Sequence, residues 1–184
     1  RDMAPLCAIV DEELSRDDFF MEYLAKELDV EKNDILDFEL YVYNAEEGCT
    51  IGIGDEILQA PRLDNITSVK ASLDGIIKAQ RNDGINAIML YDNEEIGSRS
   101  KQGADSSLFL LVIEKINAAL GYGRGKTLSA ITNGFMISLD VAHAMHPNHI
   151  EKADVTNINI MNDGIVIKRA SSQSYGTDCE SIAI

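Results

Sequence analysis

The stretch Tyr91-Asp92-Asn93-Glu94-Glu95-Ile96-Gly97-Ser98 carries the densest chemistry in the chain. Two adjacent carboxylates follow directly on an apolar run, Ile85 to Leu90, that reads as a buried strand. Negative charge beside a hydrophobic core is costly unless a positive partner meets it. A metal ion is the usual partner, and a glutamate pair can divide two tasks. One carboxylate ligates the metal while the other takes a proton from metal-bound water. Asp64 and Asp140 are candidates for the same chemistry. Each also has a plainer reading as a helix cap, worth about 1 kcal/mol. His143 and His146 lie three residues apart and could reach one ion from a single helical turn, but Pro147 ends any helix there. A structural role is an equal reading for both, and His149, beyond the proline, reads as exposed.

These residues need elements to position them. Ser15-Arg16-Asp17-Asp18 has the composition of a helix start, with Ser15 as cap and acids in the first turn, and Phe20, Leu24 and Leu28 recur behind it at helical spacing. Residues 38–43 alternate like a strand, with Phe38, Leu40 and Val42 on one face and Tyr41 and Tyr43 on the other. A second short strand covers Thr50 to Ile53, and Pro61 closes the region. Asp64 then stands at a cap position ahead of a helix with an apolar stripe of Ile66, Val69, Leu73, Ile76 and Ile77. Asp83-Gly84 is a turn into the strand 85–91. Ser106 to Leu120 reads as a helix through Leu108, Leu111, Val112, Ile116 and Leu120. Asn133-Gly134 turns into a strand, Phe135 to Leu139, that runs into Asp140. The order strand, helix, strand predicts a right-handed parallel crossover in an α/β fold with flanking helices. Parallel strands end on one edge of their sheet, and open α/β sheets bind ligands there. Glu94, Glu95 and Asp140 follow strand ends and Asp64 begins a helix, so all four carboxylates are predicted to converge.

Gly121-Tyr122-Gly123-Arg124-Gly125-Lys126-Thr127 has a superficial likeness to a phosphate loop. Leu120 stands where the first glycine belongs, and a helix precedes it instead of a strand, so the segment reads as a flexible turn.

Composition sets the frame. The chain has 184 residues, 45% hydrophobic and 26% charged, which suits one globular domain or one domain with a small appendage. With 31 acidic against 16 basic residues the net charge is -15, which argues against binding nucleic acid or anionic membranes. No apolar run reaches membrane-spanning length and no signal-peptide pattern is present. Cys7, Cys49 and Cys179 are scattered and show no CxxC spacing, so neither a disulfide framework nor a structural zinc site is indicated; a reducing cytoplasm fits. Asn65-Ile66-Thr67 matches a glycosylation sequon but reads as chance without a secretory signal. The first residue is Arg1, so the chain reads as part of a longer product.

Three segments together carry a family resemblance: Ala60-Pro61-Arg62-Leu63-Asp64-Asn65, then Leu90 to Ser98, then Ile137-Ser138-Leu139-Asp140-Val141-Ala142-His143-Ala144-Met145-His146-Pro147-Asn148. In order and rough spacing they resemble the aspartyl aminopeptidase family of metallopeptidases. Residues 27–45 and Gly164-Ile165-Val166-Ile167-Lys168 resemble the family's flanking stretches. The resemblance implies a zinc-exopeptidase-like fold, a mostly parallel sheet with flanking helices, with two divalent metal ions, usually zinc. It implies a bridging role for Asp64, a general-base role for Glu94, and ligand roles for Glu95 on one ion and Asp140 on the other. Lys168 matches a position that pairs with an acidic substrate side chain, with a surface strand residue as the plainer reading. His146 matches a histidine associated with the active site and with assembly.

The resemblance further implies cleavage of N-terminal Asp or Glu from peptide substrates and self-association into a large homo-oligomer, typically a dodecamer. Residues 1–48 would be the end of an inserted assembly domain with its connection, and residues 49–184 the central part of the catalytic domain. The family's His-Thr-Asp type motif and its histidine near the C-terminus do not occur here, so the chain is read as a central part that is inactive alone. Two other readings stay open: a catalytically inactive assembly subunit, and a related dinuclear hydrolase acting on another amide.

Overall fold

The computed structural model describes residues 6–9, 18–169 and 177–184. The chain divides into two compact units, Arg1–Pro61 and Arg62–Ile184.

The first unit holds helix α1, Phe19–Leu28. Ser15 lies outside the described residues, and the helix starts from Asp18 in a left-handed conformation at φ 66°. Lys32 in the following 3-10 turn, Lys32–Asp34, places its Nζ 2.9 Å from the Asp18 carboxylate and so ties both ends of the helix together. That ion pair raises the Lys32 pKa above its ordinary value. At the C-terminus Asp29 is again left-handed, its N–H donates to the Ala25 and Lys26 carbonyls, and the Val30 N–H also donates to the Ala25 carbonyl at 3.0 Å, closing the helix end. The predicted stripe is realised only in part. Ala25 is buried and Phe20 and Leu24 are half-buried, while Leu28 is exposed. Phe20 meets Phe38 at a ring-centroid distance of 5.6 Å. The alternation over 38–43 buries neither face, and no strand forms there.

The described sheet is a two-stranded antiparallel hairpin, β1 Cys49–Ile51 and β2 Ile57–Gln59, with Thr50 opposite Leu58. The strand predicted to reach Ile53 stops at Ile51 because Gly52 turns the chain at φ 104°. The Gly54 N–H donates to the Glu56 carboxylate at 2.8 Å inside that turn.

The second unit opens with α2, Leu63–Lys78. Its apolar stripe is present but largely uncovered, with Ile66 57% and Ile77 78% exposed. After the Gly84 turn (φ 78°), the chain passes through 85–91 to the Glu94-Glu95 loop and then into α3, Leu108–Ala119. This helix is apolar almost all round, so its pattern does not choose a face. Phe109, Val112 and Ile113 are half-buried and Asn117 is buried, while Leu108, Leu111, Ile116 and Leu120 of the predicted stripe are exposed. The Gly121 N–H bonds back to Ala118 and the Tyr122 N–H to Asn117, with Gly121 at φ 80°, a glycine-dependent helix stop. The would-be phosphate loop is therefore the end of one helix and the start of the next. Helix α4, Arg124–Thr132, follows at once and occupies part of the segment read as a flexible turn. It packs on α3 with Thr127 buried, an Arg124–Glu114 ion pair at 3.0 Å and Lys126 over the Tyr122 ring at 3.8 Å. A short last helix, α5 Cys179–Ile182, is capped by Asp178.

The predicted strands at 85–91 and 135–139 pair with nothing among the described residues. A strand's N–H and C=O groups need a neighbour about 4.8 Å away, and the described residues supply a ladder only for β1 and β2. Phe135, Met136, Ile137 and Leu139 accordingly stand exposed. Among the described residues no helix is long and apolar enough to cross a membrane.

Candidate functional site

Glu94 and Glu95 sit at the tip of a tight, internally bonded turn. The Gly97 N–H donates to the Glu94 carbonyl and the Ser98 N–H to the Asn93 carbonyl, both at 2.9 Å. Closing so short a loop requires left-handed backbone, found at Asn93 (φ 61°), Gly97 (φ 101°) and Ser98 (φ 61°). Asn93 tolerates it because its amide bonds locally, and its Oδ1 accepts from the Ser100 hydroxyl at 2.7 Å. The base of the loop is closed by the Asp92 N–H to the Gln102 carbonyl, 3.3 Å, and the Asp105 N–H to the Ser98 carbonyl, 3.0 Å. Gly103 is buried against Ser98, and a Cβ there would collide with the Ser98 backbone. Ser106 joins this loop to α3: its hydroxyl donates to the Gly103 carbonyl at 2.7 Å and accepts from the Leu108 N–H at 3.3 Å. The backbone is thus committed while both glutamate side chains stay exposed to solvent. The sequence pattern marked the two acids. It included Asn93 in the motif and Ser106 as a helix start and did not mark Ser100 and Gly103; that all four hold the loop is visible only in the fold.

Asp64 lies where α2 breaks its regular geometry. Its φ and ψ are −87° and 109°, Asn65 is also non-helical, and the peptide between them is cis. The helix cap is Arg62, with no side-chain cap bond. The capping reading of Asp64 is therefore not realised, and its exposed carboxylate stands at the first turn of the helix.

Asp140 has both carboxylate oxygens engaged. Lys168 Nζ lies 2.5 Å from Oδ2, and the Val141 N–H donates to Oδ1 at 2.8 Å. The Lys168 ammonium, helped by the Val141 N–H and by nearby His143, holds the Asp140 pKa below the ordinary carboxylate value. Two residues predicted for separate tasks, one toward metal and one toward substrate, are thus each other's partner. His146 is exposed. Its Nδ1 accepts from the Asn148 N–H at 3.1 Å, and its ring lies 5.4 Å from that of His149, which in turn meets Glu151 at 3.3 Å. The Met145 N–H donates to the Asn159 carbonyl at 2.8 Å, joining this segment to the chain that leads to Lys168.

Among the described residues no group of three or more His, Cys, Asp or Glu is close enough to hold a metal ion. Asp64, Glu95 and Asp140 are not gathered into one cluster, and all are oxygen donors, whereas zinc sites normally draw on nitrogen or sulfur as well. As they stand, these residues do not complete a zinc site.

Comparison with known proteins places these motifs. Residues 9–184 match the family described as Aminopeptidase I zinc metalloprotease (M18). A probable M18 family aminopeptidase 2 of Clostridium novyi (strain NT) is 39% identical over 183 residues, covering 100% of this chain and 42% of the relative. An aspartyl aminopeptidase of Aspergillus oryzae is 31% identical over 196 residues, covering 100% of this chain and 39% of its own. Of solved structures, the cryo-EM structure of the Ape4 and Nbr1 complex matches with a TM-score of 0.68 at 31% identity, over 89% of this chain and 33% of that one. The crystal structure of yeast aminopeptidase 1 matches with a TM-score of 0.62 at 29% identity, over 87% and 39%. The chain thus spans about two-fifths of the length of the curated relatives it matches.

Proposed function

The chain belongs to the M18 family of zinc metalloproteases, and from that premise we propose that it supplies the central carboxylates of a metal-dependent aminopeptidase. The observation that carries this reading is the bonded turn at 93–98, which fixes its backbone and leaves the Glu94 and Glu95 side chains exposed. Glu94 is the general base. Asp64, Glu95 and Asp140 are the ligands this segment contributes to two divalent ions, taken as zinc, and His146 lines the substrate site. Lys168 meets an acidic N-terminal side chain, a preference suggested by relatives named aspartyl aminopeptidase.

We assign residues 1–48 to the end of an assembly domain and its connection, and residues 49–184 to the central part of a catalytic α/β domain. Segments 85–91 and 135–139 then belong to a mostly parallel sheet, which would cover the apolar side chains that stand exposed in the described structure. Self-association into a large homo-oligomer, a dodecamer by family resemblance, and a cytoplasmic setting complete the proposal.

The test is Glu94→Gln in a protein of the relatives' full length. The amide keeps the shape but cannot accept a proton. Zinc content should be unchanged while peptide turnover falls by about 10²–10⁴-fold. Near wild-type turnover would remove Glu94 from the role of base. Absence of both zinc and turnover from the unsubstituted protein would favour an inactive assembly subunit.

A further inference from the structure

Glu94 and Glu95 are exposed, so packing does little to aim their side chains, and the backbone of the turn sets their direction. Residue 93 decides that direction. Asn93 holds φ 61°, a left-handed conformation that is costly for a residue with a Cβ. The peptide that follows it carries the Glu94 N–H. A return to negative φ would swing Glu94 away and withdraw the Asn93 carbonyl from the Ser98 N–H, which lies 2.9 Å from it. Two backbone groups of Asn93 help to hold it: its N–H donates to Asp92 Oδ1 at 2.7 Å, and its carbonyl accepts from Ser98. Its side chain adds a longer-range hold, because Asn93 Oδ1 accepts from the Ser100 hydroxyl at 2.7 Å, seven residues on. Both residues are half-buried, where water competes less for such a bond. A hydroxyl bond of this kind is of the same order as the left-handed penalty, so it is large enough to decide the conformation. The arm that carries Ser100 is itself fixed. The Gln102 carbonyl accepts from the Asp92 N–H at 3.3 Å, and Gly103 packs against the Ser98 backbone.

We propose that Ser100 is a positioning residue for Glu94: its hydroxyl holds Asn93 left-handed and thereby fixes the direction in which the Glu94 carboxylate leaves the turn. This inference rests on the proposed role of Glu94 as general base. Ser100 acts through Asn93, without contact to the reacting atoms. Without its bond, Asn93 exchanges between conformers and the carboxylate spends part of its time out of reach. The effect falls on the chemical step and not on substrate binding, because a base is needed only as the bond breaks.

The experiment is a kinetic cycle in a protein of the relatives' full length, assayed with an aspartyl p-nitroanilide. Ser100→Ala should lower kcat by about 10-fold with KM unchanged, within the cost of misplacing a reacting group. In a Glu94→Gln background the same substitution should cost nothing further, since no base is left to place. A residue that merely supports the fold would lower activity by the same factor in both backgrounds. Asn93→Gly removes the acceptor while permitting the left-handed turn, so Ser100→Ala should add no loss to it either. Hydrogen exchange gives a readout apart from turnover. The peptide spanning residues 93–98 should exchange faster in Ser100→Ala, while other peptides exchange as before. Equal losses with and without Glu94, or with and without Asn93, would overturn the proposal. So would a change confined to KM, an unchanged kcat, unchanged exchange at 93–98, or faster exchange throughout the protein. Failure of the underlying reading looks different. There the unsubstituted protein shows no turnover, or Glu94→Gln turns over at a near wild-type rate, and the positioning role falls with it.

Discussion

At the scale of single residues, the arrangement separates acids that are already satisfied from acids that are not. Asp178 is satisfied: it caps α5 by accepting from both the N–H and the hydroxyl of Ser181 at 2.7 Å, and these bonds hold its pKa below the ordinary aspartate value. A depressed carboxyl contributes its bonds fully above the unfolded pKa and loses them as pH falls through the folded value. The Ser181 amide resonance should therefore hold its capped position through neutral and mildly acidic pH, and move only below the usual aspartate range. Asp178→Ala should place it at the uncapped position at every pH. Asp64 is of the other kind, an exposed carboxylate at a break in α2 that does not cap its helix. Under the proposed bridging role, Asp64→Asn in a full-length protein should lose zinc together with activity, since a neutral amide is a poor bridge between two cations; elemental analysis checks this. Two ions retained would assign Asp64 to the helix start alone.

At the scale of elements, the Glu94-Glu95 loop shows how backbone bonds aim side chains. Its geometry depends on the close approach of Gly103 to Ser98, and Ser106 then links the loop to α3 through its hydroxyl. A methyl group at Gly103 must push the Ser98 backbone away. Gly103→Ala should destabilise the fold by about 1–3 kcal/mol, as overpacking does, measurable by denaturant unfolding. It should also lower turnover of the full-length protein by up to about 10²-fold, the cost of misplacing a reacting group by an ångström. Wild-type turnover in this variant would show that the loop's closed form is not needed. The hairpin of α3 and α4 depends on a different glycine. Gly121 supplies the left-handed residue that stops α3, so that α4 can begin three residues later and bury Thr127 against it.

At the scale of the whole molecule, many large apolar side chains of the described residues lie uncovered. Ile53, Ile77, Met136, Ile137, Val155 and Ile165 are among many large side chains that stand more than half exposed. Contiguous exposed apolar surface marks a place where something docks or where chains stick together. The 184-residue chain by itself should bind a hydrophobic dye and take up Zn²⁺ weakly, without peptidase turnover. A protein of the relatives' length should show less dye binding and tighter zinc. Stoichiometric tight binding of two ions by the short chain would show that its own residues, His143 or His146 among them, complete the site.

Family membership was legible in the sequence, because it depends on residue types in order: Asp64 after Pro61, the Glu94-Glu95 pair after an apolar run, and Asp140 ahead of two histidines. Helices α1, α2 and α3 were legible for a related reason, since helix bonds are local and the 3.6-residue period is written in the chain. The face that α3 buries was not legible, because a helix apolar on all sides carries no directional signal. Helix α4 was hidden behind glycines that serve as a stop and a start. Strand pairing was beyond the sequence as well: a strand exists only with a neighbour, and the neighbour is chosen by tertiary contact. The ion pair between Asp140 and Lys168 has the same origin. Each residue was singled out for a different partner, and only the folded chain could bring 28 residues of separation down to 2.5 Å.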